Sequence, residues 1–329
     1  MNITPEEWKE ARAAIEAASE IVLACHQGPD GDALGSMLAL QLALKDRGVK
    51  AVASWGSEPF VVPKHYTFLP GLDGLTPPVE VTPNPELMVT FDCGSFERLG
   101  TLEPNAKAAQ RLICVDHHAT NERFGTINLI DPNIAASAAL TYRLILELGI
   151  PLTRDIATCL YTGILTDTGC FKYRNTTSEI HAIAGDLLEH GVPHDEIARI
   201  VYDTHPVGYL KVLATALERA ELIPDADMIW TWVTRSDLER NAIDPEDTDG
   251  LIDEVRKADA AEVAAVLKEL PDGNYKVSMR AKTTADVGAL CESFGGGGHA
   301  LAAGFTADGK DPRTIAESIA ERLRAASAG

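Results

Sequence analysis

Through roughly the first 190 residues, short apolar runs alternate with longer helix-like stretches. That alternation admits few folds, because it is the pattern of a parallel sheet covered by helices. The clearest strands are Ile21 to Cys25, Leu87 to Phe91 and Leu112 to Val115, with Ala51 to Trp55 as a further one. Leu34 to Arg47 reads as a helix of Ala and Leu, and Ala136 to Leu148, Arg154 to Leu165 and Ser178 to His190 also read as helices. Gly191-Val192-Pro193 breaks the pattern, and His194 to Ala220 follows as one long, loosely periodic helical stretch. Strand-like sequence restarts at Met228 to Val233. After it come an acidic loop (Asp244 to Asp249), a strand pair (Ala261 to Leu267 and Tyr275 to Ala281), a glycine run and a closing helix from Pro312 to Arg324. The expected fold class is α/β, with a parallel-sheet domain over 1–192, a helical linker over 193–220 and a smaller α/β domain over 221–329. A chain of 329 residues with 45% hydrophobic residues can give each domain its own core.

Charge narrows the partners. Twenty-nine Lys and Arg against 49 Asp and Glu leave a formal net charge of −20. That excess repels long polyanions such as duplex nucleic acid, whose non-specific binding depends on neutralised phosphates. A small phosphorylated substrate is still admitted, since local cations can outweigh a distant field, and the acidity serves solubility equally well. The amino terminus has no basic segment followed by an apolar stretch, and no apolar run approaches the ~20 residues a membrane span needs. Six cysteines (25, 93, 114, 159, 170 and 291) include no C-x-x-C pair, which suits buried thiols in a reducing cytoplasm. A soluble cytoplasmic protein without membrane contact is expected.

Each strong strand runs directly into metal-binding residue types. Cys25 is followed by His26-Gln27-Gly28-Pro29-Asp30-Gly31-Asp32, Phe91 by Asp92, and Val115 by Asp116-His117-His118. Open parallel sheets place their sites just beyond the carboxyl ends of strands. Taken singly, each motif reads more readily as structure: Asp30-Gly31-Asp32 as a turn with Asp32 capping a helix that starts at Ala33, Asp92-Cys93-Gly94-Ser95 as a strand-to-loop turn, and His117-His118 as satisfied core histidines. Together they read differently, because carboxylates buried side by side rise steeply in pKa unless cations compensate them. Carboxylates with imidazole favour manganese, magnesium or iron over a structural zinc. A carboxylate shared by two such ions suits a water-attack hydrolysis of a phosphoester. Asp167, in Gly163-Ile164-Leu165-Thr166-Asp167-Thr168-Gly169, either returns to the same site or simply ends a helix. Farther on, Gly295-Gly296-Gly297-Gly298-His299 is a flexible loop or a backbone cradle for an anion, and Arg280 and Lys282 at a strand end tilt the balance toward phosphate.

In order and spacing, His26-x-x-x-Asp30-x-Asp32, Asp92, Asp116-His117-His118 and Asp167 resemble the four motifs of the DHH phosphoesterases. Gly295 to His299 resembles the hallmark of the DHH-associated domain, and the resemblance covers nearly the whole chain. The nanoRNase and pAp phosphatase group is the subfamily it is most similar to. The resemblance implies two manganese ions: His26 and Asp30 on one, Asp32, His117 and Asp167 on the other, and Asp92 bridging them. It further implies that Asp116 orients a ligand histidine and that His118 faces the scissile phosphate. Arg280, His299 and the amides of Gly296, Gly297 and Gly298 would hold the far end of the substrate. The family often carries Arg where Lys172 stands, so Lys172 is left out of the site. Family II inorganic pyrophosphatases differ in their second domain, and the DHH exonucleases that resect single-stranded DNA are longer.

The implied activity is hydrolysis of very short RNA and of 3′-phosphoadenosine-5′-phosphate (pAp) to AMP. A close variant acts on cyclic di-AMP or pApA. The reading from another class is a non-catalytic nucleotide sensor; a degenerate ligand set would mark it, whereas here every expected ligand type is present. The resemblance also implies a homodimer.

Overall fold

Thr4 caps the first helix, α1 (Pro5–Ala17), through a reciprocal box: its hydroxyl accepts from the Glu7 amide while the Glu7 carboxylate accepts from the Thr4 amide. The computed structural model of the protein describes residues 3–309 and 311–327. In the first of two compact units, which ends at Thr204, the chain continues through β1 (Glu20–Cys25), α2 (Gly31–Asp46), β2 (Lys50–Trp55), β3 (Leu87–Phe91), α3 (Glu103–Ala108) and β4 (Arg111–Asp116). It then forms β5 (Ile127–Ile130), α4 (Ser137–Glu147), α5 (Arg154–Asp167), α6 (Ser178–Glu189) and α7 (His194–Tyr202).

The five strands make one wholly parallel sheet in the order β2-β1-β3-β4-β5. Its strands read as unbroken apolar runs because both faces are covered. Ile21, Leu23, Val89, Ile113 and Val115 face a core shared with α1, α2, α4 and α5, while Val22, Ala24, Met88 and Leu112 face α3 and its neighbouring turn. The strand order reverses between β1 and β3, and such a switch point opens a crevice beyond the carboxyl ends of the strands. Register fixes what arrives there. Cys25 pairs with Phe91, and Phe91 with Val115, so His26, Asp92 and Asp116 leave the sheet side by side.

Helix α2 is apolar almost all round and buried accordingly. It lies tightly against α5: a Cβ on Gly35 would sit 2.4 Å from the Cys159 carbonyl oxygen, and one on Gly163 would sit 2.8 Å from Oδ1 of Asp32. Both glycines are therefore places where two helices need bare backbone.

The second unit begins at His205. It holds α8 (Val207–Glu218), β6 (Glu221–Ile223), β7 (Met228–Val233), α9 (Arg235–Arg240), α10 (Leu251–Val255), β8 (Val263–Glu269) and β9 (Tyr275–Ala281), then α11 (Val287–Glu292), β10 (Gly297–His299), β11 (Ala302–Ala307) and α12 (Pro312–Ser327). Its mixed sheet runs β10-β11-β9-β8-β7-β6, with only the β7–β8 pair parallel. Alternate residues feed two cores: Trp230, Ala265, Val277 and Met279 pack with α11 and α12, while Ala264 and Val266 pack with α8 and α10.

The single helix expected over His194 to Ala220 is two helices, α7 and α8, separated by residues 203–206. Pro206 is the physical reason, since the residue before a proline is pushed out of the helical region. Pro206 then serves as the N-cap of α8. Among the described residues, no helix is long and apolar enough to cross a membrane. All six cysteines are thiols, five of them buried.

Candidate metal centre and active site

Asp30 closes the turn after β1 by capping α2, its Oδ1 accepting from the amides of Asp32 (3.1 Å) and Ala33 (3.0 Å). The cap open to Asp32 in the sequence thus belongs to Asp30, and α2 starts at Gly31. The other Asp30 oxygen, Oδ2, lies 3.7 Å from Nε2 of His26. Nδ1 of His26 is 3.0 Å from the Gln27 carbonyl oxygen. A backbone acceptor on one ring nitrogen, with the other nitrogen aimed at carboxylates, is the usual arrangement of a metal-ligating histidine.

Asp92 stands at the centre. Its backbone is left-handed (φ 53°), a conformation that aspartate tolerates better than most residues, and its amide donates to the Val115 carbonyl at 3.0 Å. Its Oδ2 lies 3.4 Å from Nε2 of His26, and its Oδ1 lies 3.3 Å from Nε2 of His117. The same His117 nitrogen is 3.1 Å from Asp167 and 4.0 Å from Asp32. Asp167 arrives on the last turn of α5, ahead of a turn in which Gly169, Cys170 and Phe171 are all left-handed (φ 55°, 60° and 61°). Asn175 ties this turn down by donating to the Asp167 carbonyl at 3.0 Å. The structure therefore brings together His26, Asp30, Asp32, Asp92, His117 and Asp167. Their ligand atoms fall into overlapping groups (His26, Asp30 and Asp92; Asp32, His117 and Asp167; Asp92, His117 and His118), each within 4.8 Å.

Asp116 is fully buried and accepts from the amides of His117 (2.8 Å) and His118 (3.3 Å). The ring it holds is that of His118, whose Nδ1 is 2.7 Å from Asp116 Oδ1. Asn121, which the sequence did not single out, donates to Asp116 Oδ2 at 2.5 Å and to the Cys93 carbonyl at 3.0 Å. Its one sequence signal is an Asn four residues past His117 in a loop, which is too common to notice.

The electrostatics are those of a site short of cations. Burial pushes the His26 imidazole down, but Asp30 and Asp92 outweigh it and carry it up to about 10. Burial likewise opposes the His117 imidazole, and Asp167 and Asp92 lift it well above its ordinary value. Burial raises the Asp32 carboxyl well above the carboxylate range, with Asp167 and Asp92 adding to the rise. Asp167 is pushed up to about 6 by burial against the pull of His117. Asp92 is instead held well below the usual range, burial being overcome by the His117 and His26 imidazoles beside it. Metal cations held between these groups would relieve this crowding.

In the second unit, Arg280 on β9 and His299 on β10 both pair with Ala302 of β11, so the three side chains share one face of the sheet. His299 is exposed, Arg280 half-buried, and Arg280 donates to the Met279 carbonyl. The glycine run is not a loose loop: Gly297 pairs with Gly304 and Gly298 with Ala303, while Gly296 leads into the strand. Lys282 donates to the Ala258 carbonyl, and Lys172 lies over the Tyr202 ring at 5.6 Å.

Residues 20–164 match the DHH family N-terminal domain, and residues 230–327 match the DHHA1 domain. The chain is 33% identical to the bifunctional oligoribonuclease and PAP phosphatase of Thermus thermophilus, over 97% of this chain and 95% of that one. The chain belongs to the DHH family of phosphoesterases. This DHH phosphoesterase is also 24% identical to the bifunctional oligoribonuclease and PAP phosphatase of Bacillus subtilis, over 88% of this chain and 90% of its relative. It superposes on an exopolyphosphatase-related protein of Bacteroides fragilis with a TM-score of 0.89 at 25% identity, covering 98% and 97% of the two chains. It is a hydrolase, and the metal dependence of its family agrees with the acidic and histidine groups gathered at the switch point.

Proposed function

We propose that the protein hydrolyses very short oligoribonucleotides and pAp, in the latter case to AMP, using two manganese ions. The observation that carries this reading is the sharing of Asp92: one carboxylate oxygen faces His26 and the other faces His117. In this reading His26 and Asp30 hold one ion, Asp32, His117 and Asp167 the other, and Asp92 joins them. When bound, the ions supply positive charge for phosphoryl oxygens and acidify a water for attack. The chain's own residues do the rest. Asp116 holds Nδ1 of His118 and so sets how the ring faces the phosphate; the side chain is 27% exposed. Burial lowers the His118 imidazole but Asp116 raises it above its ordinary value, so it can carry a proton toward a leaving oxygen. Arg280 and His299, on one face of the second unit's sheet, contact the substrate's remaining phosphate, with Gly296, Gly297 and Gly298 letting backbone amides come close. A net charge of −20 adds little general attraction for long RNA or duplexes. The reaction belongs in a reducing cytoplasm, where the thiols persist.

Incubating the protein and manganese with pAp, pApA, cyclic di-AMP, pyrophosphate and RNAs from dimers to 24-mers tests the reading. Release of AMP from pAp and faster cleavage of dimers than of 24-mers are expected. Equal rates on 24-mers and dimers, or turnover of pyrophosphate alone, would contradict it.

A further inference from the structure

Helix α4 starts without a local cap. Ala136 precedes it and has no side-chain acceptor to offer, so the first amides of the helix reach across the sequence to Asp32. Ser137 N donates to Oδ2 at 2.6 Å and Ala138 N to Oδ1 at 2.8 Å. The Ser137 hydroxyl donates to Oδ1 of Asp92 at 3.1 Å. Ser137 is fully buried, as is Asp32, and Asp92 is 4% exposed. One residue at a helix start therefore touches two carboxylates of the cluster, in a direction that suits negative charge at a helix N-terminus.

The other polar contacts of Asp92 show why this matters. Its Oδ1 also lies near His117 Nε2 (3.3 Å) and His118 Nδ1 (3.5 Å), and its Oδ2 near His26 Nε2 (3.4 Å). Nε2 of His26 and Nε2 of His117 are the nitrogens that would turn to the metals, so neither would be a donor to Asp92 in a loaded site. His118 Nδ1 is already taken by Asp116 at 2.7 Å. The Ser137 hydroxyl, 3.1 Å from Oδ1, would remain a donor to Asp92 in a loaded site. A carboxylate turns easily about its last bond, and a fixed donor on one oxygen decides which oxygen faces which metal group.

We propose that Ser137 is a positioning residue of the metal centre: its hydroxyl fixes Oδ1 of Asp92 toward the His117 group, while the α4 amides hold Asp32. This rests on the two-metal reading above. It makes α4 a scaffold that presets two ligands before either ion arrives, as outer contacts of metal ligands commonly do.

The test is a manganese titration of the metal-stripped full chain, reading free manganese by electron paramagnetic resonance, for wild type, Ser137→Ala and Ser137→Cys. Wild type should bind two ions. Ser137→Ala should still bind two, with one weakened about 10- to 100-fold and the other within about threefold. Excess manganese should restore kcat with the substrate KM unchanged, which a general folding defect would not allow. Ser137→Cys keeps the size with a weaker donor and should fall between the two; it also decides the matter if the alanine variant does not fold. Unchanged affinities in whichever variant folds, or a kcat loss that excess manganese does not repair, would overturn the proposal. A wild-type count below two would overturn the parent reading, and this inference with it, before any variant is compared.

Discussion

Each unit buries an aspartate almost completely, and the two are treated in opposite ways. In the second unit, Asp237 accepts from Arg219 twice (2.6 and 3.1 Å) and from the amide and hydroxyl of Thr234 (2.9 and 2.6 Å). Burial pushes that carboxyl up, but Arg219 and Thr234 prevail and hold it at about 2. In the first unit, the charged groups acting on Asp32 are Asp167, Asp92, His117 and Asp30, three of them carboxylates. Asp237 is buried with a cation from its own chain; Asp32 is buried mainly among like charges, with the His117 imidazole 4.0 Å away. The same residue type at the same burial has opposite partners in the two units, which marks Asp237 as structural and Asp32 as a candidate functional group.

The largest effect that could break this contrast is at the shared ligand. Asp92→Asn should lower turnover at least about 1,000-fold, the several kcal/mol that metal charge gives a phosphoryl transition state, with the fold kept by circular dichroism. Near-normal manganese-dependent activity would remove Asp92 from the centre. Stability should respond the other way round between the units. Asp237→Asn should cost about 3 kcal/mol by denaturant unfolding, because it leaves the Arg219 charge without its anion. In contrast, Asp167→Asn in metal-free protein at pH 7 should melt at or above wild type, yet lose most of the stabilisation that manganese confers. A strongly destabilised Asp167→Asn would mean that the first-unit cluster is a structural ion-pair network after all.

Acid should sharpen the same comparison. Asp237 is held below its unfolded value near 3.9, so its stabilising contribution is complete above that pH and is lost as pH falls toward about 2. Asp167 is raised to about 6, so in metal-free protein its effect runs the opposite way: stability present below pH ~3.9 is lost as pH rises through about 6. Unfolding curves of the two Asn variants against pH should therefore diverge from wild type at opposite ends of that range. The smallest effect concerns the second unit's sheet, where Arg280→Ala or His299→Ala should raise KM about tenfold on dinucleotides while bound manganese stays the same. A double variant with unchanged kinetics would take these residues out of the site.

Much of this candidate site is legible in the sequence because its clustered residues follow apolar strands directly: once β1, β3 and β4 are read from their runs, their ends must lie on one edge of a parallel sheet. Asp167 is readable only as a choice, since a helix of any destination can end on Asp. Ser137 is not legible at all. Its proposed role depends on an acceptor 45 residues earlier in the chain, and a small polar residue at a helix start has no local signature of reaching so far. The four-residue β5 is too short to stand out, whereas α1 is marked at its start by the Thr4 and Glu7 capping box. The split between α7 and α8 was signalled by Pro206, whose effect on its predecessor outweighs a loose apolar period.

The measurement that bears most directly on the central claim is a metal count. Protein stripped with a chelator, dialysed against manganese and then freed of unbound ion should carry two manganese per chain by mass spectrometry, and Asp92→Asn at most one. A wild-type chain that retains one ion or none under the same treatment would contradict the claim that the crowded carboxylates of the first unit exist to hold a pair of cations.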